Sequence, residues 1–170
     1  EDPDRHRTYR FSDIRRAVHG AVAAAVRSAG VQSADLSAVA LSATCSLVLR
    51  DVTGKPLSTD SGEGDVIAWC DHRAADEARD CSQPPHALVD RNGGFMSPEM
   101  QTPKLLWVKR HRPDAWQRLG QALDLTDALA MELTDVPVRS LCSMVAKWPY
   151  DGGSGWLVDY LRAIGLEDLP

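Results

Sequence analysis

An acid, an imidazole and a guanidinium stand side by side in the triplet Asp71-His72-Arg73. A carboxylate or an imidazole can act as a general acid or base, and all three side chains can hydrogen-bond a polar ligand. The triplet follows the strand-like run 66–69 and precedes the helix-like run 74–78. Ligands in α/β proteins bind at such strand ends, so this corner is a candidate site. Asp71 also suits the N-cap of a helix that begins near Arg73, and the two roles are compatible.

A second polar group, Thr44, Cys45 and Ser46, ends the apolar run that precedes it. The two hydroxyl groups could hydrogen-bond a polyol, or they could satisfy backbone groups in a turn. A nucleophilic role for Cys45 would need a helix N-terminus or a cation to lower its pKa, and the sequence guarantees neither. Cys70, inside the corner, is the other thiol that a cysteine enzyme could use.

Lys147 lies among the ring-bearing residues Trp148, Pro149 and Tyr150. Its ammonium could be held near a ligand oxygen. Alternatively, the aliphatic stem lies along the surface while the charge stays in water. From the residues alone these two interpretations are equally good.

The elements that must position these groups follow from hydrophobic periodicity. Apolar residues at helical spacing predict a helix over 12–29, with Ser12 as its cap, Gly30 just after its end, and an alanine-rich face packed on a sheet. The run 38–43 is almost continuously apolar, which is typical of a strand buried on both faces. The other predicted strands lie at 47–51, which enters the turn 51–57, and at 66–69, after a polar loop at 58–65.

Helices dominate the sequence after residue 73. Pro98 after Ser97 favours a helix start, although Pro103 could mark the true start. Residues 134–150 look irregular, and 152–155 read as a flexible turn. The helices are predicted at 73–80, 84–91, 98–111, about 113–120, about 125–133 and 156–164.

Composition excludes several function classes. The chain has 44% hydrophobic and 25% charged residues and a formal net charge of -5, which is ordinary for a soluble globular protein. Without a basic stripe, nucleic acid is not an expected partner. No apolar run approaches the roughly 20 residues that span a bilayer, and the first residues do not form a signal peptide, so we expect a cytoplasmic protein with free, buried cysteines. The sequence contains no P-loop and no G-x-G-x-x-G motif.

Several segments, taken in order, resemble the FGGY family of carbohydrate kinases, and specifically its ribulokinase-like (pentulose kinase) branch. Each segment is weak evidence by itself, but together they cover nearly the whole chain in the family's order. The matching stretches are 43–48 (ATCSLV), 69–74 (WCDHRA), 93–107 (GGFMSPEMQTPKLLW), 124–127 (DLTD), 139–143 (RSLCS), 147–150 (KWPY) and 165–169 (GLEDL).

This resemblance implies an α/β, ribonuclease-H-like (actin-like ATPase) fold, of which the chain is an incomplete N-terminal kinase domain. Residues 1–70 would form its sheet portion, and 71–170 a mainly helical sugar-site portion. ATP and Mg²⁺ would serve the parent kinase, with none expected on this piece. The D-x-G-T phosphate turn, the catalytic Asp and the C-terminal domain have no counterpart here, so no catalytic, cofactor-binding or metal-binding residue is assigned. We expect the isolated piece to be inactive.

The resemblance also implies which residues bind the sugar. The expected reaction of the parent is ATP-dependent phosphorylation of a pentulose, with D-ribulose to D-ribulose 5-phosphate favoured. The alternative is a non-catalytic sugar-binding or regulatory module derived from such a kinase. The expected partner is a small sugar, and a homo-oligomer is compatible with the sequence. The implied sugar-binding residues are Ala43, Thr44, Cys45, Asp71, His72 and Lys147.

The chain departs from the pattern of the branch at two positions. Ser42 stands where an Asp usually precedes Ala-Thr-Cys-Ser, a change that would weaken substrate recognition. Asp135 stands where a Gly is usual after Leu-Thr, a change that would only alter a turn.

Overall fold

The computed structural model describes residues 6–59 and 64–169, so part of the predicted polar loop 58–65 lies outside the described residues. A short 3₁₀ turn covers Ser33–Asp35. The strands are β1 (Thr8–Tyr9), β2 (Leu47–Asp51), β3 (Val66–Ile67), β4 (Leu119–Asp124), β5 (Tyr150–Asp151) and β6 (Gly155–Trp156). The helices are α1 (Phe11–Ala29), α2 (Ala75–Cys81), α3 (Ala87–Arg91), α4 (Gln101–His111), α5 (Pro113–Arg118), α6 (Leu125–Thr134), α7 (Leu141–Lys147) and α8 (Val158–Ala163).

The first four strands form an antiparallel sheet in the order β1-β3-β2-β4, and β5 and β6 form a separate hairpin. Leu47, at the start of β2, pairs with Ile67 at the end of β3 and with Asp124 at the end of β4. One edge of the sheet therefore gathers the residues before β2 and those after β3 and β4. We call this the site edge, formed by residues 43–46, 68–73 and 124–127.

Side chains of the sheet alternate between two hydrophobic clusters, as the two-residue period of a strand requires. Leu47 and Leu49 face the larger cluster, which contains residues 105–108 of α4 and reaches α8. Val48 faces the smaller one, together with Phe11 and Leu129. The sheet is thus covered on both faces, and the larger cluster lies directly behind the site edge.

The predicted helix over 12–29 is confirmed within one residue, and Gly30 ends it in the left-handed conformation with φ 66°. Two details were wrong. Ser12 does not cap the helix, because Arg10 is the N-cap residue and the backbone N–H of Phe11 donates to Oδ1 of Asp65 at 2.7 Å. The alanine-rich face is not packed on the sheet either, since Phe11 is the only buried residue of α1.

The predicted strand at 38–43 was wrong. These residues form no strand in the structure, and Val39 is 68% exposed. Backbone groups of a strand need a neighbour, but β2 already has β3 on one side and β4 on the other. Within the described parts of the chain, nothing pairs with 38–43.

The strand at 47–51 is confirmed at both ends, whereas β4 and α7 were missed. β4 comes from the second half of the chain but pairs with β2 from the first half. Gly120 makes this close pairing possible, because a Cβ there would lie 2.6 Å from the Cα of Val52. The remaining predicted helices exist with shifted ends, and Asp135 occupies the left-handed end of α6 with φ 55°, where the family usually has Gly.

All four cysteines are free thiols, as expected, but only Cys81 is buried. Cys45 and Cys70 are half-buried, and Cys142 is exposed. Among the residues that the structure describes, no helix is both long and apolar enough to cross a membrane.

Candidate functional site

Asp71 lies at the centre of the site edge, and its carboxylate is fully enclosed, with 0% exposure. Its Oδ1 accepts hydrogen bonds from the backbone N–H of Arg73 (3.0 Å) and from Arg73 Nε (2.9 Å). Its Oδ2 accepts from Arg73 Nη2 (2.8 Å) and from the backbone N–H of Arg7 (2.5 Å). Both oxygens are therefore occupied by protein donors, and Asp71 fixes the shape of the corner.

The predicted helix cap at Asp71 was wrong. Helix α2 begins two residues later than expected, with Ala74 as its N-cap residue and no side-chain cap. The reason is local, because the Arg73 side chain folds back onto Asp71 and closes a tight turn instead. The Arg73 guanidinium is buried with it and stacks 4.8 Å from the centre of the Trp107 ring.

Lys104, on the first turn of α4, is a buried cation that sequence reasoning missed. Its ammonium donates to the carbonyl oxygens of Ala68 (2.8 Å), Trp69 (3.2 Å) and Glu99 (3.4 Å). Burial lowers its pKa to about 8, an effect that the charge of Asp71 partly opposes. Lys104 thus ties the end of β3 to the loop before α4. Its position in the apolar run Pro103-Lys104-Leu105-Leu106 was the available signal.

His72 points away from this buried cluster and is half-exposed on the rim. Its Nε2 lies 3.0 Å from Oε1 of Glu99, and the two side chains are 52% and 32% exposed. Since neither partner is enclosed, this pair is accessible to a ligand that approaches the site edge.

The segment Ala43–Ser46 crosses the same edge. The Thr44 hydroxyl is exposed and lies 3.3 Å from the buried hydroxyl of Ser46, which in turn accepts from the backbone N–H of Trp69 at 3.1 Å. Ser46 therefore joins this segment to the corner, while Ala43 and Cys45 are half-buried beside it.

Burial and the neighbouring Asp124 raise the pKa of the Cys45 thiol, and the opposing effect of Lys147 is smaller. A reactive cysteine needs the reverse shift, so the structure gives no support to a nucleophilic Cys45.

Lys147 is the last residue of α7 and is half-buried. Its positive charge lowers the pKa of both Cys45 and Lys104, so both groups lie within its electrostatic range. Among the described residues it has no hydrogen-bond or ion-pair partner. The structure thus leaves a cation with three N–H donors at the end of α7.

Within 6–59 and 64–169, no group of three or more His, Cys, Asp or Glu side chains could hold a metal ion.

Comparison with known proteins identifies the family of the chain. The model of the FGGY family of carbohydrate kinases, N-terminal domain, matches residues 4–147. An FGGY carbohydrate kinase domain-containing protein of Danio rerio is 42% identical over 144 residues, which are 82% of this chain and 26% of that protein. A D-ribulokinase of Saccharomyces cerevisiae is 31% identical over 169 residues, 92% of this chain and 24% of that protein.

The chain thus spans about a quarter of the length of these relatives. Its fold matches the crystal structure of a xyloylose kinase from Brucella ovis with a TM-score of 0.81 at 22% identity, over 95% of this chain and 33% of that one. This likeness confirms the predicted α/β kinase fold. The family match extends over most of the chain, and the chain belongs to the FGGY family of carbohydrate kinases, within the N-terminal domain of that family.

Proposed function

We propose that this chain is the sugar-binding part of an ATP-dependent carbohydrate kinase that phosphorylates a pentulose, with D-ribulose as the favoured substrate. The observation that carries the proposal is the half-buried Lys147 at the end of α7, whose charge acts on Cys45 and which has no hydrogen-bond or ion-pair partner among the described residues. The likeness to a relative named D-ribulokinase supports this sugar class.

The proposed contacts follow from the chemistry of the site edge. A pentulose offers a donor and an acceptor at nearly every carbon. Lys147 supplies donors only, the Thr44 hydroxyl supplies both, and the His72–Glu99 pair supplies both on the opposite rim. A site of this kind rejects a sugar that lacks one hydroxyl, because the protein partner is then left without a hydrogen bond.

Ala43 and Cys45 would complete the wall of the site, and Asp71 would act from behind it. The carboxylate of Asp71 is enclosed, so we propose that it contributes by holding His72 and the corner in place. Proton abstraction and nucleotide binding are proposed for the parent protein, with no residue of this chain assigned to either step. A cytoplasmic location is part of the proposal, because the four free thiols suit a reducing compartment.

Isothermal titration of D-ribulose into the 170-residue chain tests the proposal. We expect saturable binding that weakens about tenfold in Lys147→Met, since the substitution keeps the stem and removes a charged donor. Lys109→Met is the matched control, because Lys109 bonds Gly165 and Asp168 and no residue of the site edge, so its loss should leave the affinity unchanged. Absence of saturable binding with D-ribulose and D-xylulose alike would contradict the proposal.

A further inference from the structure

We propose that Asp124 is a positioning residue of the sugar site, which sets the location of Lys147 relative to Cys45 through hydrogen bonds to Trp148 and Gln101. This inference rests on the proposed function and extends it to a residue behind the sugar contacts. The segment 124–127 was one of the family-like motifs, and nothing in the sequence gave it a role.

The hydrogen bonds of Asp124 connect both sides of the site. Asp124 ends β4 and is 1% exposed. Its Oδ2 accepts from Trp148 Nε1 at 2.5 Å, and its Oδ1 accepts from Gln101 Nε2 at 2.6 Å. The same Gln101 nitrogen donates to the carbonyl oxygen of Cys45 at 3.0 Å. One carboxylate therefore connects the residue next to Lys147 with the backbone of Cys45.

Trp148 can transmit this position to Lys147 because the two are neighbours in the chain and the indole has little freedom. The ring is buried, the Arg139 guanidinium lies 5.1 Å from its centre, and the ring of Trp156 meets it edge-on at 6.0 Å. With Arg139 and Trp156 packed against the buried ring, the hydrogen bond from Nε1 to Asp124 fixes the rotation of the ring. That rotation determines where α7 ends, and Lys147 is its last residue.

Gln101 links the carboxylate of Asp124 to the backbone of Cys45, as Trp148 links it to the end of α7. It is fully buried at the start of α4, and its Nε2 is shared between Asp124 and Cys45. Its Oε1 has no hydrogen-bond partner among the described residues, so the orientation of the amide is set by these two acceptors. The start of α4, the end of β4 and the segment before β2 therefore depend on the same carboxylate.

An apolar core could hold these elements together, but it would not specify one rotation of Trp148 or Gln101. A carboxylate with an N–H donor on each oxygen does specify them, because hydrogen bonds are directional. Burial raises the pKa of Asp124 against the effect of the two donors, Asp127 adds to the rise, and the charge of Arg139 opposes it without forming a salt bridge. This unfavourable burial is consistent with a positional role and not with stabilisation alone.

The test compares two tryptophans that make the same kind of contact. Trp148→Phe removes the donor to Asp124 and keeps most of the aromatic packing. Trp116→Phe is the matched control, because Trp116 Nε1 donates to Asp168 at 3.0 Å and Asp168 also accepts from Lys109 at 2.6 Å, away from the site edge. We expect the D-ribulose dissociation constant to rise about tenfold in Trp148→Phe and to stay unchanged in Trp116→Phe.

A double-mutant cycle separates positioning from general stability. If Asp124 acts through Lys147, Trp148→Phe should have little further effect on sugar affinity once Lys147→Met is present. Additive losses would overturn the positioning role. If Asp124→Asn has a native near-ultraviolet circular dichroism spectrum, we expect its D-ribulose dissociation constant to rise as in Trp148→Phe. If Asp124→Asn does not fold, the affinity of Trp148→Phe alone decides whether Asp124 has the positioning role.

The two proposals fail differently. Wild-type protein that binds no pentulose contradicts the proposed function and the positioning role with it. Wild-type protein that binds D-ribulose, together with unchanged affinity in Trp148→Phe, overturns the positioning role alone.

Discussion

Two buried aspartates lie at the same edge of the sheet, and their partners differ in kind. Asp71 is paired with the guanidinium of Arg73, two residues away, so its charge is compensated within one turn. Asp124 accepts from the neutral N–H donors of Gln101 and Trp148, which are 23 and 24 residues away in the chain. Asp71 therefore fixes the conformation of one turn, and Asp124 fixes the relative position of segments that are distant in the chain.

This difference indicates that the two aspartates have different roles, one in the stability of the fold and the other in the position of the sugar-binding residues. A buried ion pair whose partners are adjacent can form as soon as the turn forms, and removing either charge leaves the other uncompensated. A carboxylate with two neutral donors gains less electrostatic energy but constrains more geometry. We therefore expect substitutions at Asp71 to affect folding first, and substitutions around Asp124 to affect ligand affinity first.

The largest expected effect is that of Asp71→Ala. The substitution leaves the Arg73 guanidinium buried without its counter-charge, since both side chains are 0% exposed. We expect a loss of about 3–5 kcal/mol in the free energy of unfolding, measured by urea denaturation.

The control for that measurement is Asp76→Ala. Asp76 pairs with Arg79 on the exposed face of α2, where an ion pair contributes less than about 1 kcal/mol. Equal losses in the two variants would show that the Asp71–Arg73 pair is no more important to stability than a surface pair, and the contrast with Asp124 would disappear.

The sequence predicted the local parts of this arrangement well. Helix α1 and strand β2 follow from residue periodicity and from Gly30, and both are confirmed. The strand-end rule placed the corner at 69–74 on the site edge, where the structure has it. Each of these features depends on residues that are close in the chain.

Three of the misses depend on distant partners. β4 is a strand because β2 offers it a neighbour from the other half of the chain, whereas the sequence predicted its first two residues as the end of a helix and assigned 121–124 to no element. The run 38–43 has the composition of a strand but no neighbour within the described residues. Lys104 looked like one more polar residue of a helix, and only the fold places carbonyl oxygens around it.

The second expected effect concerns Lys104, the buried lysine on which the charge of Asp71 acts. Its pKa is about 8 in the folded protein against 10.5 for an ordinary lysine, so the folded state binds fewer protons than the unfolded chain between these values. Stability from this group is present above about 10.5 and is lost as the pH falls through about 8. From about pH 7 to about pH 9, wild type should gain about 1 kcal/mol relative to Lys104→Met in urea denaturation.

Lys109→Met provides the control, because Lys109 lies on the same helix but pairs with Asp168 near the surface. Burial also raises the pKa of Cys81 to about 12, which reduces stability at high pH, but this contribution is common to all three proteins and cancels in the difference. A parallel pH dependence in wild type and Lys104→Met would contradict the buried, partly deprotonated lysine.

The smallest expected effect is the pH dependence contributed by Asp124. Burial raises its pKa above the ordinary value, so the folded protein binds more protons than the unfolded chain in mildly acid solution. The resulting stability is complete below the ordinary pKa of about 4 and is lost as the pH rises through the folded value. Wild type should therefore gain stability relative to Asp124→Asn on acidification from about pH 7 to about pH 4, by less than the change expected for Lys104. Asp168→Asn should show the opposite sign, because burial raises the pKa of Asp168 but the hydrogen bonds from Lys109 and Trp116 together outweigh it and lower that pKa overall. If the pH dependence of stability changes in the same direction in Asp124→Asn and Asp168→Asn, the carboxylate of Asp124 is charge-compensated like that of Asp71. The distinction between the ion-paired Asp71 and the positioning residue Asp124 then fails.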